Sequence, residues 1–133
     1  MNDQEFITAL EDCSLDKRYF NHRGHLRAAW LYLDRYPVNE AAEHCARSIQ
    51  RYANHLGATD KFHVTLTRAF MHIIAELRAS HPATNWEDFL SQCPDLVEEP
   101  RRLIARHYSD DVLDSEKART EFVAPDLAPL PQQ

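Results

Sequence analysis

The chain has 133 residues, a net charge of −6 and 44% hydrophobic residues, a composition typical of one globular domain rather than of a disordered segment. Nucleic acid is an unsuitable partner for so acidic a protein, because binding to phosphates needs a basic face. Only two glycines and three widely separated cysteines are present, which argues against a glycine-rich β-fold, a disulfide framework and a zinc ribbon.

The first residues, MNDQEFITALEDC, are acidic and lack the apolar stretch of a signal peptide. No apolar run reaches the ~20 residues that a membrane helix needs. The sequence therefore predicts a cytoplasmic protein with reduced thiols and no membrane contact. Of the 15 basic residues, 12 are arginines. Arginine makes planar contacts with carboxylates and phosphates, so an anionic small molecule is a candidate ligand, although biased codon use is the favoured explanation for most of the arginines.

Apolar spacing predicts helices along the first two thirds of the chain. A short helix begins near residue 3, and a turn or short helix over 14–20 leads into a strong helix that ends at Pro37. Asn39 is the expected N-cap of the third helix. Asp60 is the expected N-cap of a fourth, central helix that ends before Pro82.

The last third is expected to contain shorter helices. Asn85 should cap WEDFLSQ, and LVEEPRRLIARHYS and SDDVLDSEKARTEF should form one helix each. The proline-rich residues that follow are expected to be extended. The sequence thus predicts an all-α fold: one compact domain of five to seven helices over residues 1–123, and an extended tail over 124–133.

The segment FNHRGHLRAAWLYL, residues 20–33, contains the most informative histidines. His22 and His25 are three residues apart at the start of a predicted helix, so both imidazoles lie on one side of its first turn. The positive end of the helix dipole lowers the pKa of a histidine there, which favours the neutral form that binds metals or acts as a base. Gly24 is unfavourable in a helix, unless a ligand approaches the backbone or the preceding segment is left-handed.

His63 in FHVTLT occupies an equivalent position at the start of the fourth helix. Three histidine nitrogens with an open fourth position suit zinc, iron or copper, and such a metal activates water or dioxygen. The metal interpretation, a metal-free pocket that uses the same imidazoles, and purely structural histidines remain open alternatives. The HxxH spacing is weak evidence, because eight histidines produce it easily by chance.

Other side chains near these histidines are candidates for the same pocket. Thr67 lies on the side of His63, and its hydroxyl either faces the pocket or bonds to a carbonyl one turn earlier. Tyr32 continues the line of His22 and His25, whereas Trp30 has a spacing that favours the core. Arg27 either clamps an anionic substrate or pairs with one of the acidic residues, and the ion pair is favoured.

Three motifs together resemble a family of small helical bacterial proteins: FNHRGHLRAAWLYL, FHVTLTRAF and LDSEKARTEFVAPDLAPLP. The resemblance covers most of the chain and implies no activity. Phe62 stands where the family pattern has a tyrosine, so the resemblance does not supply a catalytic phenol there. The positions that it implies are His22, His25, Arg27, Trp30, His63, Thr65, Thr67, Ser115, Arg119 and Asp126.

These observations predict a small enzyme that acts on a small molecule by hydrolytic or oxidative chemistry. The expected catalytic residues are His22, His25, His63 and Thr67, and the same three histidines are the expected ligands of any zinc, iron or copper. The expected ligand-binding residues are Arg27, Trp30, Tyr32 and Arg119. The alternative is a noncatalytic helical module that binds a small ligand or a protein. An exposed apolar stripe on a short helix would favour a homodimer.

Overall fold

The computed structural model describes residues 1–58, 60 and 62–131. These residues form helices, turns and loops without a β-strand, so the predicted all-α fold is confirmed. The chain divides into two compact units, Met1–Phe62 and His63–Gln133, where the sequence predicted one domain. Lys61, the expected first residue of the fourth helix, and the last two residues of the expected tail lie outside the described part.

The first unit is built from three helices and one 3₁₀ turn. Helix α2 packs along α3, and α1 contacts both of them. The faces that meet are apolar and are buried at residues spaced three and four apart, as in Phe6, Ile7 and Leu10 of α1. The elements are α1 (Asp3–Glu11), the 3₁₀ turn (Lys17–Tyr19), α2 (His22–Arg35) and α3 (Val38–His55).

The ends of these helices follow from their capping residues. Asn2 and Glu5 form a reciprocal capping box at the start of α1, with Glu5 N donating to Asn2 Oδ1 over 2.8 Å. Helix α3 begins one residue before the expected cap Asn39, because Pro37 already has a helix-compatible φ and Val38 is buried. Gly57 follows α3 with a φ of 75°, the left-handed conformation in which glycine ends helices.

The second unit centres on one long helix and five short ones. Helix α4 contacts both α7 and α9, and its buried face includes Ala69, Ile73 and Ile74. The helices are α4 (Val64–Ser80), α5 (Trp86–Gln92), α6 (Asp95–Glu98), α7 (Pro100–Ile104), α8 (Asp110–Leu113) and α9 (Glu116–Thr120). Across the residues described, nine α-helices are present, and five of them have seven or more residues.

Two expected C-terminal helices are each divided in two. Pro100 has no N–H to donate, so the segment over 95–104 breaks into α6 and α7 with Pro100 as the first residue of the second. Ser115 breaks the next segment, because its hydroxyl accepts from Ala118 N over 3.1 Å and starts α9 anew. Local capping therefore overrides the longer apolar pattern here.

The residues after α9 are fixed to the second unit by hydrogen bonds. Leu127 N donates to the carbonyl of His107 over 3.0 Å, and the Tyr108 hydroxyl donates to the carbonyl of Val123 over 2.6 Å. Asp126 Oδ1 accepts from Ser109 N over 2.9 Å. Residues 122–131 therefore pack against the unit as an irregular segment, which we call the C-terminal segment. Among the described helices, none has the length and apolar character needed to cross a membrane.

Candidate functional site

His22 and His25 open α2, as the sequence predicted. Asn21 is the N-cap: its Oδ1 accepts from Gly24 N over 2.8 Å, and its Nδ2 donates to the Arg18 carbonyl over 3.0 Å. The asparagine therefore joins the 3₁₀ turn to the first turn of α2. His22 is exposed and His25 is largely covered, so the two imidazoles share a side of the helix but differ in environment.

Gly24 is required by a close approach of the protein's own backbone. The place that a Cβ would occupy is already filled by the carbonyl oxygen of Tyr19 in the 3₁₀ turn. Gly24 itself is helical. Neither a left-handed conformation nor a ligand is needed to explain this glycine, and its role is to let the 3₁₀ turn lie directly against α2.

The His25 imidazole lies in an aromatic environment. Phe20 meets it edge-on, with ring centroids 4.8 Å apart and an interplanar angle of 66°. Phe20 also packs against Tyr52 of α3 at 4.5 Å, and the Tyr52 hydroxyl donates to the Leu15 carbonyl. His25 is thus held by groups that offer its ring contacts but no hydrogen bond to its Nε2.

His25 Nε2 is buried and has no hydrogen-bond partner. Burial and, to a smaller extent, the charge on His22 together lower the pKa of His25 to about 4. The side chain is therefore neutral at pH 7. A neutral imidazole can accept or donate one hydrogen bond at each nitrogen, depending on its tautomer.

Arg27 is engaged in the structure of the first unit. Its Nη2 is 2.8 Å from Asp3 Oδ1 and donates to the Met1 carbonyl over 3.1 Å. Its guanidinium also lies 4.7 Å from the centroid of the Phe6 ring. Arg27 thus anchors α1 to α2. Of the two alternatives that the sequence left open, a clamp for an anionic substrate and an ion pair with an acidic residue, the structure shows the ion pair. Trp30, one turn further along α2, is buried in the core.

Tyr32 belongs to a chain of hydrogen bonds that links three helices. Its hydroxyl donates to Glu11 Oε2 over 2.9 Å and is 2.7 Å from Ser48 Oγ. Because the single phenol proton goes to Glu11, Ser48 must donate to Tyr32. Burial raises the pKa of Tyr32 well above its ordinary value, and the nearby Glu11 raises it further, so the phenol stays protonated.

Sequence reasoning missed Glu11 and Ser48 as partners of Tyr32. One signal was available: Ser48 lies between the buried Cys45 and Ile49 on the apolar face of α3, and a buried hydroxyl needs a partner. His44 of α3 is half-covered, and its ring stacks on that of Tyr36 with centroids 4.1 Å apart.

His63 of the second unit has both ring nitrogens occupied. Nδ1 accepts from Leu66 N over 3.1 Å, so the side chain is the N-cap of α4 in place of the expected Asp60. Nε2 is 2.8 Å from the Leu113 carbonyl. An acceptor at Nδ1 and a donor at Nε2 define one neutral tautomer. A metal could bind His63 in this geometry only by displacing one of these bonds.

The threonines that follow His63 also have local partners. Thr67 Oγ1 donates to the His63 carbonyl over 2.8 Å. This is the bond to a carbonyl one turn earlier, the second of the two alternatives given for this hydroxyl. Thr65 is fully buried, and its hydroxyl donates to the Glu121 carbonyl over 2.9 Å while accepting from Val123 N over 3.1 Å. Thr65 therefore fixes the start of the C-terminal segment.

The remaining positions implied by the family resemblance are found in the last two helices and the C-terminal segment. Ser115 caps α9, and Asp126 accepts from Ser109 N. Arg119 forms a two-bond pair with Glu116, at 2.6 and 3.2 Å. Of these contacts, the one from Ser109 to Asp126 joins separate segments of the second unit, and the other two lie within α9 and its cap.

The predicted site residues are divided between the two units. His22, His25, Arg27, Trp30 and Tyr32 belong to the first unit, whereas His63, Thr67 and Arg119 belong to the second. Neither unit, as far as its residues are described, contains three or more His, Cys, Asp or Glu side chains grouped to hold a metal ion. Comparison with protein-family models, curated proteins and solved structures finds no match.

Proposed function

We propose that the protein is a small enzyme that binds its substrate at the His25 imidazole. One observation carries the proposal: the Nε2 atom of His25 is buried without a hydrogen-bond partner. Leaving a buried polar atom unpaired costs about 1–3 kcal/mol, and native proteins contain few such atoms. A ligand that hydrogen-bonds to Nε2 recovers this energy when it binds.

The neutral state of His25 fits a particular chemical role. With its pKa lowered to about 4, His25 is too weak a base to hold a proton at pH 7. As the Nε2–H tautomer it donates a hydrogen bond to a substrate oxygen. A neutral imidazole in the first turn of a helix can polarise a carbonyl in this way. We therefore assign His25 the role of an uncharged electrophile that draws charge onto the substrate oxygen.

The proposal is tested by screening a library of metabolites for thermal stabilisation of the wild-type protein and of His25→Gln. A ligand present at 100 times its dissociation constant stabilises the protein by about 2.7 kcal/mol, which raises the melting temperature by several degrees. We expect hits that stabilise the wild type and not His25→Gln. His44→Gln is the matched control, since His44 stacks on Tyr36 in the same unit. Hits that stabilise His25→Gln as much as they stabilise the wild type would contradict the proposal.

A metal-dependent form of the enzyme makes a separate prediction. Zinc, iron or copper bound through the first-unit histidines, His22 and His25, would appear in near-stoichiometric amount in elemental analysis of the purified protein. His25→Gln would then remove the metal. If the protein stays metal-free after reconstitution, the metal-dependent enzyme is contradicted. The role of His25 as an uncharged electrophile is not affected by that result.

A noncatalytic binding module is the second candidate. It is favoured by the observation that Arg27, Thr67 and Arg119 are engaged in contacts within their own units, which leaves His25 without an evident catalytic partner among them. The two candidates differ in one measurement. A hit from the screen is incubated with the protein at stoichiometric concentration and followed by NMR: chemical change in the ligand that His25→Gln abolishes indicates an enzyme, and an unchanged ligand indicates a binding module.

A further inference from the structure

Helix α4 of the second unit carries a histidine with a hydrogen bond left unmade. His72 lies in the middle of α4 and is half-buried. Its Nδ1 atom is buried and has no hydrogen-bond partner among the residues that the structure describes. Native proteins contain few buried polar atoms without a partner, because each one loses its bond to water without a replacement.

Arg68 lies one turn before His72 on the same helix. Residues four apart on a helix are neighbours, and helical side chains lean toward the N-terminus, so the imidazole extends over the turn that contains Arg68. Burial lowers the pKa of His72; the carbonyl of Pro131 opposes this shift, and the charge on Arg68 adds to it. The guanidinium is therefore close enough to the imidazole to interact with it electrostatically.

Arg68 has no counter-charge within the described part of the chain. Its side chain is half-buried, and it forms neither a hydrogen bond nor an ion pair with a residue described there. Other arginines of the second unit differ: Arg102 and Arg119 each bind a glutamate, at 2.8 and 2.6 Å. A cation that is partly withdrawn from water without a partner is unfavourable, unless an anion binds beside it.

The C-terminal segment borders this pair of side chains and supplies no charge to it. The Pro131 carbonyl lies next to the imidazole of His72. Residues 127–131 have the sequence LAPLP, without a charged side chain. On α4 itself, Glu76 follows His72 by one turn, but it is exposed and does not contribute to the pKa shift of His72.

From this arrangement we infer that Arg68 and His72 form a binding site for an anion, a small molecule that bears a carboxylate or a phosphate group. The planar guanidinium donates to two oxygens of such a group. The neutral imidazole has one N–H, and as the Nδ1–H tautomer it donates to an oxygen of the same anion. The site lies on α4 and shares no residue with the site at His25, so the inference goes beyond the proposed function and does not depend on it.

The test titrates the whole chain with inorganic pyrophosphate and, separately, with citrate at constant ionic strength, and follows the imidazole and backbone amide signals by NMR. We expect saturable shifts centred on His72 and its neighbours in α4. Arg68→Gln preserves the helix, since glutamine is a good helix former, and should bind roughly tenfold more weakly because it loses a charged hydrogen-bond donor. Arg68→Lys keeps the charge without the planar fork and should be intermediate. His72→Phe removes the N–H and should also weaken binding.

The matched control is Arg51→Gln/His55→Gln, which removes an arginine and a histidine at the same spacing on α3, where both are exposed. This variant should bind as the wild type does. Shifts that do not saturate, or that weaken equally in the control, would show only general screening of charge and would overturn the inference. The absence of binding to both anions would overturn it too. Tighter binding of pyrophosphate indicates a phosphate ligand, and tighter binding of citrate a carboxylate.

His25→Gln separates this site from the one at His25. Anion binding that is unchanged in His25→Gln supports the site on α4, whatever ligand the metabolite screen identifies. Binding that is lost in His25→Gln and retained in Arg68→Gln would assign the anion to His25 and overturn the inference. Binding that His72→Phe leaves at the wild-type level would contradict the joint role of His72 and Arg68.

Discussion

At the level of single residues, Gly24 shows how one missing side chain fixes the local structure around His25. The carbonyl of Tyr19 occupies the position of the absent Cβ. Any larger residue must push the 3₁₀ turn away from α2, which also moves Phe20 relative to His25. The glycine thus serves the packing of the backbone, and its effect on the candidate site is indirect.

We expect Gly24→Ala to lower the free energy of unfolding by about 1–3 kcal/mol, the typical cost of overpacking. The measurement is urea unfolding followed by circular dichroism. Gly57→Ala is the comparison: nothing lies within 4 Å of its added Cβ, but its φ of 75° is unfavourable for alanine, so a loss of about 1 kcal/mol is expected there. Gly57→Asn should lose less, because asparagine tolerates this conformation. A Gly24→Ala protein as stable as the wild type would show that the 3₁₀ turn shifts freely.

His25 makes stability depend on pH. Its pKa is lowered in the folded protein from 6.5 to about 4, so between these values the unfolded chain binds a proton that the folded chain does not. Stability contributed by the neutral imidazole is fully present above pH 6.5 and is lost as the pH falls toward 4. The loss amounts to about 3 kcal/mol at most.

Urea unfolding at pH 7, 6 and 5 measures this dependence. We expect His25→Gln to lose less stability than the wild type over this range, because glutamine does not titrate. His22→Gln should make the total loss slightly smaller, because the charge on His22 helps to lower the pKa of His25 and without it the loss levels off at a higher pH. Identical pH profiles for the wild type and His25→Gln would mean that the pKa of His25 is the same in the folded and the unfolded protein.

At the level of elements, the Glu11, Tyr32 and Ser48 side chains join α1, α2 and α3. The chain of hydrogen bonds begins at a buried serine and ends at an exposed carboxylate. Each internal group is satisfied by the next, which is what a buried polar network needs to be stable. The network fixes how the three helices are positioned along one another.

A double-mutant cycle tests this network. Tyr32→Phe leaves the Ser48 hydroxyl buried without its acceptor and should cost about 1–3 kcal/mol. Ser48→Ala removes one donor and should cost less. Because the two side chains share one hydrogen bond, the double variant should be more stable than the sum of the two losses predicts, by about 0.5–3 kcal/mol. Thermal unfolding of the wild type and the three variants measures these losses of stability. Strictly additive losses would show that the hydrogen bond between Tyr32 and Ser48 contributes nothing to stability.

At the level of the whole molecule, the C-terminal segment completes the second unit. Thr65 on α4 binds both Glu121 and Val123 through one hydroxyl. Tyr108, Ser109 and His107 bind the segment further along. A proline-rich stretch that the sequence presents as a tail is therefore part of the folded structure.

Thr65→Val keeps the shape of this side chain and removes both hydrogen bonds. We expect faster amide hydrogen exchange over residues 122–131, and a loss of about 1–3 kcal/mol from the two backbone groups left unpaired. Thr67→Val is the matched control, since Thr67 bonds only within α4 and should leave exchange in the C-terminal segment unchanged. Equal exchange rates in both variants would show that other contacts suffice to hold the segment.

The sequence by itself determined the fold class, the positions of the longer helices and the start of α2, because these follow from apolar periodicity and from local caps such as Asn21 and Asn85. It also singled out His22, His25 and His63 as candidate site residues. Only the tertiary structure decided what the histidines contact. His25 Nε2 is buried beside the Phe20 ring without a hydrogen-bond partner, whereas His63 Nε2 is bonded to the carbonyl of Leu113, which is 50 residues away. The same holds for Gly24, whose role depends on a carbonyl five residues earlier, and for Thr65, whose partners are more than fifty residues away.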